Sequence, residues 1–424
     1  RTAQVSVWFL SVPGSALLGL TIENRAIDAR QGRGIAFIHT LSFLLPDRVS
    51  PKPSAKGVEC LGEDAGWQSQ QGTRARINPA SLKSRPLVVG MGPAGLFAAL
   101  ELCLAGAPPL VVERGGQVEQ RGLKVDDFWR KGELDPEDIR YDAAAHLGTD
   151  RMHLMMRAAR RELTSLGAEL RFNCRLDRLL IDGGAVRGAA LHTAEGIAEI
   201  DATHVILAPG HSASDTYRML RQCGVGLMAK DFALGVRVEH PQAMIDTAQF
   251  GHDAGHPRLG AASYRWTCPA GDGLPACYTF CMCPGGEVIA CASEAGRLAT
   301  NGMSSSARSL PYGNAAFLVP VSQSFWPGDA DLFGGLSWQG RLEEAAFKAG
   351  GGDYALPAMT LAAFLGKAKR GKLPYLPERT RVREADLCAI MPDRLRQALQ
   401  RGILAIGKKM RDFFNCPALV YGLE

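Results

Sequence analysis

Gly90, Gly92 and Gly95 in "VVGMGPAGLFAAL" form a G-x-G-x-x-G run between an apolar, strand-like segment and an alanine-rich, helix-like one. This spacing is suited to holding a dinucleotide. The first glycine permits a tight turn. The second lets the backbone approach a pyrophosphate with no Cβ in the way, and the third lets helix and strand pack closely. Pro93, followed by Ala94, falls in the first helical turn, where a missing N–H costs nothing. The helix start offers unpaired N–H groups and a partial positive charge to a phosphate. Glu113 stands 23 positions after Gly90, at the end of "PPLVVER", with Arg114 beside it. A carboxylate there can accept hydrogen bonds from ribose hydroxyls, and it would repel a 2′-phosphate, which disfavours NADP. These residues alone do not separate FAD from NAD, and a purely structural glycine turn remains the alternative.

The elements that must position these groups are legible around them. "PLVVG" predicts a short buried strand ending at Gly90, "AGLFAALELCLAG" a helix ending near Gly106, and "PPLVVER" a second buried strand. Strand, helix and strand with short connections imply a parallel pair joined by a crossover. Asp150 is the expected N-cap of an amphipathic helix whose shared face holds Leu154, Met155, Ala158, Ala159, Leu163 and Leu166, closed by Gly167. Leu170, Phe172, Cys174 and Leu176 alternate as in one strand. "DGG" at 182–184 predicts a hairpin turn, "AVRGAALHT" its return strand, and "HVILAPG" a further buried strand closing at Pro209 and Gly210.

The organisation expected along the chain is an N-terminal α+β piece over 1–46, with "IAFIHTLSFLL" as a strand, and a linker over 47–84. A dinucleotide-binding domain follows over 85–231, then a substrate domain over 232–365 and a helical, basic segment over 366–424. No internal repeat is visible.

Other residues are less specific. Cys281 and Cys283 in "FCMCPGG" would point the same way from a strand, roughly 6.5 to 7 Å apart at Cα, at or beyond the disulfide range. Thiols lining a strand are the expected reading, ahead of a redox or metal role. His211 after "APG" could face a cofactor, but a surface or helix-start place is expected, with "SASD" as a cap. Arg237, Glu239 and His240 are candidates to face a substrate, and simple strand alternation explains them equally well. "KAKRGK" at 367–372 reads as a solvated loop. No Ser-His-Asp arrangement and no metal motif of dependable spacing occurs, so no catalytic residue and no metal ligand is assigned.

The bulk properties set limits. With 424 residues, 46% hydrophobic and 21% charged, the chain can bury a large core and is not disordered. A net charge of +5 is too weak to argue for a nucleic-acid partner. The 11 cysteines, odd in number and irregular in spacing, suggest free thiols in a reducing compartment. No apolar run of transmembrane length is free of breakers. "VSVWFLSVPGSALLGL" is broken by Pro13 and Gly14 and lacks the pattern of a secretory signal.

"VVGMGPAGLFAALELCLAG" with "VVERG" resembles the FAD half-site of flavoproteins with two dinucleotide-binding domains. "RFNCRLDRLLIDGGAVRGAAL", "VILAPGHSASDTYRML", "KDFALGVRVEHPQAMID", "YTFCMCPGGEVIACASE", "NGMSSSAR" and "KAGGGDYALPA" are similar to segments of a family of FAD-dependent oxidoreductases found in bacteria and in plants and algae. The resemblance spans roughly 21–46 and 85–424. It implies an α/β fold: a Rossmann-like, glutathione-reductase-like FAD domain with an inserted mixed α+β substrate domain. It implies that Gly90, Gly92, Pro93, Ala94 and Gly95 meet the pyrophosphate, and that Glu113 and Arg114 lie at the adenosine ribose. The strand holding Leu176 would meet adenine, and Ala208, Pro209 and Gly210 would return toward the cofactor.

It further implies flavin-mediated hydride transfer on a small molecule of no particular class, with NAD(P)H as a possible electron donor. The expected location is the cytoplasm, or a plastid if the source is a plant or alga. Relatives carry a glycine-rich stretch after "GELDPE" (132–137) and a continuation beyond "VYGLE" that this sequence does not show. A non-catalytic remnant of the family, or an NAD-dependent dehydrogenase, are the alternative readings.

Overall fold

The computed structural model describes residues 18–28, 36–44, 79–120, 148–257, 259–326, 331–377 and 379–424. The expected linker, apart from its last residues, and the stretch following "GELDPE" lie outside them. The chain divides into a unit at 1–76 and a unit at 77–424. In the first, β1 (Leu18–Asp28) pairs antiparallel with β2 (Ala36–Leu44), the strand expected from "IAFIHTLSFLL".

The second unit opens with β3 (Leu87–Val89), α1 (Pro93–Leu104) and β4 (Leu110–Val112), then α2 (Thr149–Ser165) and β5 (Glu169–Arg171). An antiparallel sheet of β6 (Arg175–Asp182), β7 (Ala185–Thr193) and β8 (Gly196–Asp201) follows. Next come β9 (Val205–Leu207) and α3 (Ser214–Gln222). The parallel sheet runs β5-β4-β3-β9. Alternation divides its residues between two cores. Val88 and Val111 join Leu96, Ala99, Leu102 and Leu163 beneath α1 and α2. Leu87, Val89, Leu110 and Val112 join Leu176, Leu179, Leu191, Met219 and Leu220 beneath the small sheet and α3. A parallel sheet covered on both faces explains why "LVV" and "LVV" are continuous apolar runs. The β6–β7 turn uses Gly183 (φ 57°) and Gly184 (φ 78°), the left-handed pair that a two-residue hairpin needs.

Three local expectations are corrected. The α2 N-cap is Gly148, and Asp150 lies in the first turn. Its carboxylate instead accepts from the backbone N (2.8 Å) and Oγ (2.7 Å) of Ser306. The α2 face that packs is narrower than expected: Met156, Ala159, Leu163 and Leu166 meet the core, whereas Leu154 and Ala158 are exposed, because α2 meets its neighbours along one stripe only. The alternation through 170–176 covers two strands, not one. Asn173 at φ 51° breaks the run, a conformation asparagine tolerates. In addition, β9 is an edge strand, and Ile206 is 37% exposed.

The remainder builds a seven-stranded sheet. In chain order its parts are β10 (Phe232–Pro241), α4 (Gln242–Phe250), β11 (Thr267–Cys268) and β12 (Cys277–Cys283). The hairpin β13 (Glu287–Cys291) and β14 (Ala299–Met303) follows, then β15 (Tyr312–Val321) and α5 (Gly334–Ala349). The last are β16 (Leu356–Thr360), β17 (Val382–Glu384), α6 (Asp393–Gly407) and β18 (Leu419–Gly422). The sheet order is β11-β12-β15-β10-β18-β16-β17. Residues 366–424 are therefore not simply a helical tail: β18 sits between β10 and β16, a four-residue strand too short for periodicity to reveal. Val236, Val238, Phe317 and Val319 pack against Trp338 and Leu342 of α5 and Leu399 and Ile403 of α6. On the other face Leu356, Ala358, Leu419 and Tyr421 pack against the β13–β14 hairpin through Val288 and Ala290.

Gly402 sets how closely α6 lies on the sheet, since a Cβ there would fall 2.2 Å from the Cys277 Cβ of β12. Gly402→Ala is expected to destabilise the chain by about 1–3 kcal/mol through overpacking. Gly371→Ala, where nothing lies within 4 Å, should leave the unfolding midpoint unchanged; calorimetry of the two variants checks this.

Candidate functional site

The glycine run lies where β3 turns into α1. Gly90 has φ +100°, and a Cβ there would lie 2.1 Å from the Ala208 carbonyl oxygen. Residue 95 would place its Cβ 1.9 Å from the Gly90 carbonyl oxygen, so glycine is what allows helix and strand to approach. Gly92 differs. It is the N-cap of α1, with Pro93 in the first turn, and nothing lies within 4 Å of the position a Cβ would take. The fold itself makes no steric demand for glycine at 92.

Glu113 is fixed by the loop it faces. Its Oε2 accepts from the Met91 backbone N at 2.8 Å and its Oε1 from the Gly115 N at 2.9 Å. Each oxygen retains a lone pair for another donor. Arg114 reaches α3, where its Nη2 donates to Asp215 Oδ2 at 2.6 Å. Asp215 is thus not the cap expected from "SASD". The α3 N-cap is Ala213, without a side-chain bond. The left-handed Asn173 donates its N to the Gly115 carbonyl, and Cys174 N donates to the Glu113 carbonyl. That turn delivers Leu176 to the same place.

Gly90, Gly92, Pro93, Ala94, Glu113, Arg114, Leu176, Ala208 and Gly210 all line one cavity of about 340 Å³. Gly95 alone among the expected residues does not; it is buried in the helix–strand contact. Arg175, Ser212, Thr216 and Tyr217 also line it and were missed. Their signal was position, directly after Cys174 and at the start of α3. His211 is exposed, as expected of a surface residue, and yet borders the cavity.

A larger cavity of about 820 Å³ shares His211, Ser212 and Tyr217 with the first. Phe280, Leu318, Trp326 and Phe333 supply apolar wall, and Thr300, Asn301, Gln339, Glu343 and Glu424 supply polar groups. The two cavities meet where the chain leaves β9.

Arg237, Glu239 and His240 are not on the cavity wall. All three are buried, because the later part of β10 lies between two cores; only its first residues, Phe232, Ala233 and Leu234, reach the cavity. Arg237 is held bidentately by Glu424 through Nε (2.8 Å) and Nη2, and Nη1 donates to Asn314 Oδ1 at 2.9 Å. Burial opposes its charge, but the Glu424 carboxylate outweighs burial and pushes its pKa up. Thr300 Oγ1 donates to Glu424 Oε2 at 2.9 Å, so a fully buried arginine anchors a carboxylate on the cavity floor. Burial pushes the Glu239 carboxyl up to about 7, against donation from Tyr421 (2.8 Å) and Tyr375 (2.9 Å). Burial takes His240 down to about 4, leaving it neutral with Nε2 on the Phe413 carbonyl at 3.2 Å.

The expected side-by-side placement of Cys281 and Cys283 fails. β12 bulges between Phe280 and Cys283, and Cys281 has φ 38°. Burial raises both thiols and pushes Cys291 up to about 12, so these sulfurs stay protonated. No cluster of metal-binding side chains occurs among the described residues, and no described helix is long and apolar enough to cross a membrane.

The structure is a mixed α/β protein with a parallel sheet, a glycine-lined cavity at its strand ends and a second sheet beside it. Residues 231–424 match the family described as "FAD-dependent protein, C-terminal domain-like". A protein of Clostridium beijerinckii, described as an uncharacterized protein, is 36% identical over 386 residues, which is 81% of this chain and 72% of that one. The chain belongs to one family with that Clostridium protein, and over residues 231–424 it carries the FAD-dependent C-terminal domain. Among solved structures, the anhydrotetracycline hydroxylase OxyS of Streptomyces rimosus aligns with TM-score 0.28 and 18% identity, over 57% of this chain and 46% of that one. A geranylgeranyl bacteriochlorophyll reductase-like protein of Thermoplasma acidophilum aligns with TM-score 0.27 and 18% identity, over 52% and 56%. The chain spans about half the length of either structure.

Two outcomes are expected. Gly95→Ala should lower the unfolding midpoint, because its Cβ meets a backbone oxygen, while Gly92→Ala should melt as the parent does. The second concerns Glu239, whose folded pKa exceeds the unfolded one near 4.3. Its stabilising effect is complete below that value and is lost as pH rises to about 7, by about 3 kcal/mol. Glu239→Gln should therefore flatten the fall in stability across this range in denaturant titrations at stepped pH.

Proposed function

We propose that the chain is an FAD-dependent oxidoreductase acting on a small molecule. The adenosine and pyrophosphate would occupy the smaller cavity. Gly92, Pro93 and Ala94 would present the start of α1 to the phosphates, and Glu113 would receive the ribose hydroxyls with its remaining lone pairs. Leu176 would lie against the adenine. The flavin end would pass His211, Ser212 and Tyr217 into the larger cavity, which also has room for a substrate. Bound there, the flavin supplies the hydride chemistry. The chain's own residues bind and orient: Arg237 holds the Glu424 carboxylate at the cavity floor, and Phe280, Trp326 and Phe333 offer an apolar wall. NAD(P)H is the proposed electron donor, reaching the flavin through the larger cavity.

The observation that carries this reading is the place of Gly92: it caps the start of α1 and lines the smaller cavity, with open space where a Cβ would stand, so backbone there is accessible to a phosphate. The junction of the two cavities adds an extended path of the kind FAD requires. The family description of residues 231–424 favours FAD over NAD as the cofactor.

Isolated protein supplied with FAD is expected to show flavin absorbance that stays with the chain on gel filtration. Gly92→Ala should weaken FAD affinity by about tenfold, near 1.4 kcal/mol, while folding unchanged. A parent chain that retains no FAD, or an unaltered affinity in Gly92→Ala, would overturn the reading.

A further inference from the structure

Glu343 stands on the α5 side of the larger cavity. Gln339, one turn earlier, donates its Nε2 to Glu343 Oε1 at 2.7 Å, and no other hydrogen-bond donor to its carboxyl occurs among the described residues. The nearby cation is engaged elsewhere: Arg297 pairs with Glu294 at 2.7 Å and with Glu344 at 3.6 Å. Glu294 in turn accepts from Ser214 Oγ at 2.7 Å. Among the described residues Glu343 is thus a carboxyl with one oxygen bonded, no ion-pair partner, and apolar neighbours on the same wall in Leu298, Leu336 and Phe333. Burial is the largest influence on it and raises its pKa. Gln339, Arg297 and His211 oppose that rise, and Glu294 adds to it. A carboxyl that keeps its proton is an O–H donor.

We propose that the larger cavity takes a small molecule with an apolar ring body and a carbonyl oxygen, and that the Glu343 carboxyl donates the hydrogen bond that orients it. The proposal rests on reading this cavity as the place where substrate meets cofactor, and it names the class of substrate. The ring body meets Trp326, Phe333 and Leu318. The carbonyl needs a donor, and a protonated carboxyl provides one where an ionised carboxylate repels the carbonyl lone pairs. An amine would favour the ionised acid, and a carboxylate ligand would be rejected by it.

The test is calorimetric binding to the full chain of two ligands of matched shape, the bicyclic ketone tetralone and the hydrocarbon tetralin, at mildly acidic and mildly alkaline pH. In acid the ketone is expected to bind about five- to tenfold tighter than the hydrocarbon, the size of one hydrogen bond. In alkali the advantage should vanish. Glu343→Gln donates from its amide at every pH and should keep the ketone's advantage throughout. A ketone advantage that is absent, a pH response that persists in Glu343→Gln, or no binding of either ligand would overturn the proposal. FAD retention, measured separately on the same protein, tells failure of the cofactor reading apart from failure of this one.

Discussion

The carbonyl oxygen of Gly90 occupies the space that a Cβ on residue 95 would need, and the candidate site is organised around that contact. A side chain at 95 would push α1 away from β3. The start of α1 would then no longer face the ends of the parallel strands. Gly90 is constrained a second time by the Ala208 carbonyl, whose residue bonds back to Val89 (Ala208 N to Val89 O, 2.8 Å). Two glycines therefore fix three chain segments against each other: the end of β3, the start of α1 and the exit of β9. Glu113 adds the fourth, through its bonds to the Met91 and Gly115 amides. The cavity is the space these segments leave.

The second sheet depends on a different constraint. Arg237 is wholly buried, and an unpaired buried charge would be strongly destabilising. Its partner Glu424 follows β18, which is threaded between β10 and β16. The ion pair and the strand support each other. β18 carries the carboxylate to the arginine, and the arginine holds the carboxylate at the floor of the larger cavity.

How much of this was legible in the sequence follows from how local each feature is. The strand–glycine–helix–strand unit was readable because its signals fall within some thirty residues and each glycine answers to a stated geometry. The two-glycine turn at 183–184 was readable for the same reason. Asp150 was misread because the amide and hydroxyl of Ser306, far along the chain, compete for its carboxylate. The single strand drawn through 170–176 missed Asn173, since burial alternation survives a left-handed kink. For Arg237, Glu239 and His240 the sequence left a substrate-facing place and simple strand alternation equally open. Nothing local shows that both faces of β10 are covered at these positions, by α5 and α6 on one side and the β13–β14 hairpin on the other. Resemblance to a known family supplied what local reading could not, by assigning Ala208 and Gly210 to the same place as Gly90.

The two cavities also explain why the site is divided between segments so distant in sequence. Much of the smaller wall is glycine turns, a helix start and the strand ends of the parallel sheet, with side chains from β6 and α3 closing it. The larger is walled by side chains from β12, β14, α5 and the end of the chain. Backbone suits a ligand portion that is always the same, because amides and glycine turns recognise phosphate without depending on side-chain identity. Side chains suit the portion that varies, because one substitution reshapes the wall without disturbing a hydrogen-bonded ladder. His211, Ser212 and Tyr217 stand where one kind of wall gives way to the other. Specificity in this chain should therefore be sought beyond them, among Phe280, Phe333 and Glu343 and not among the glycines.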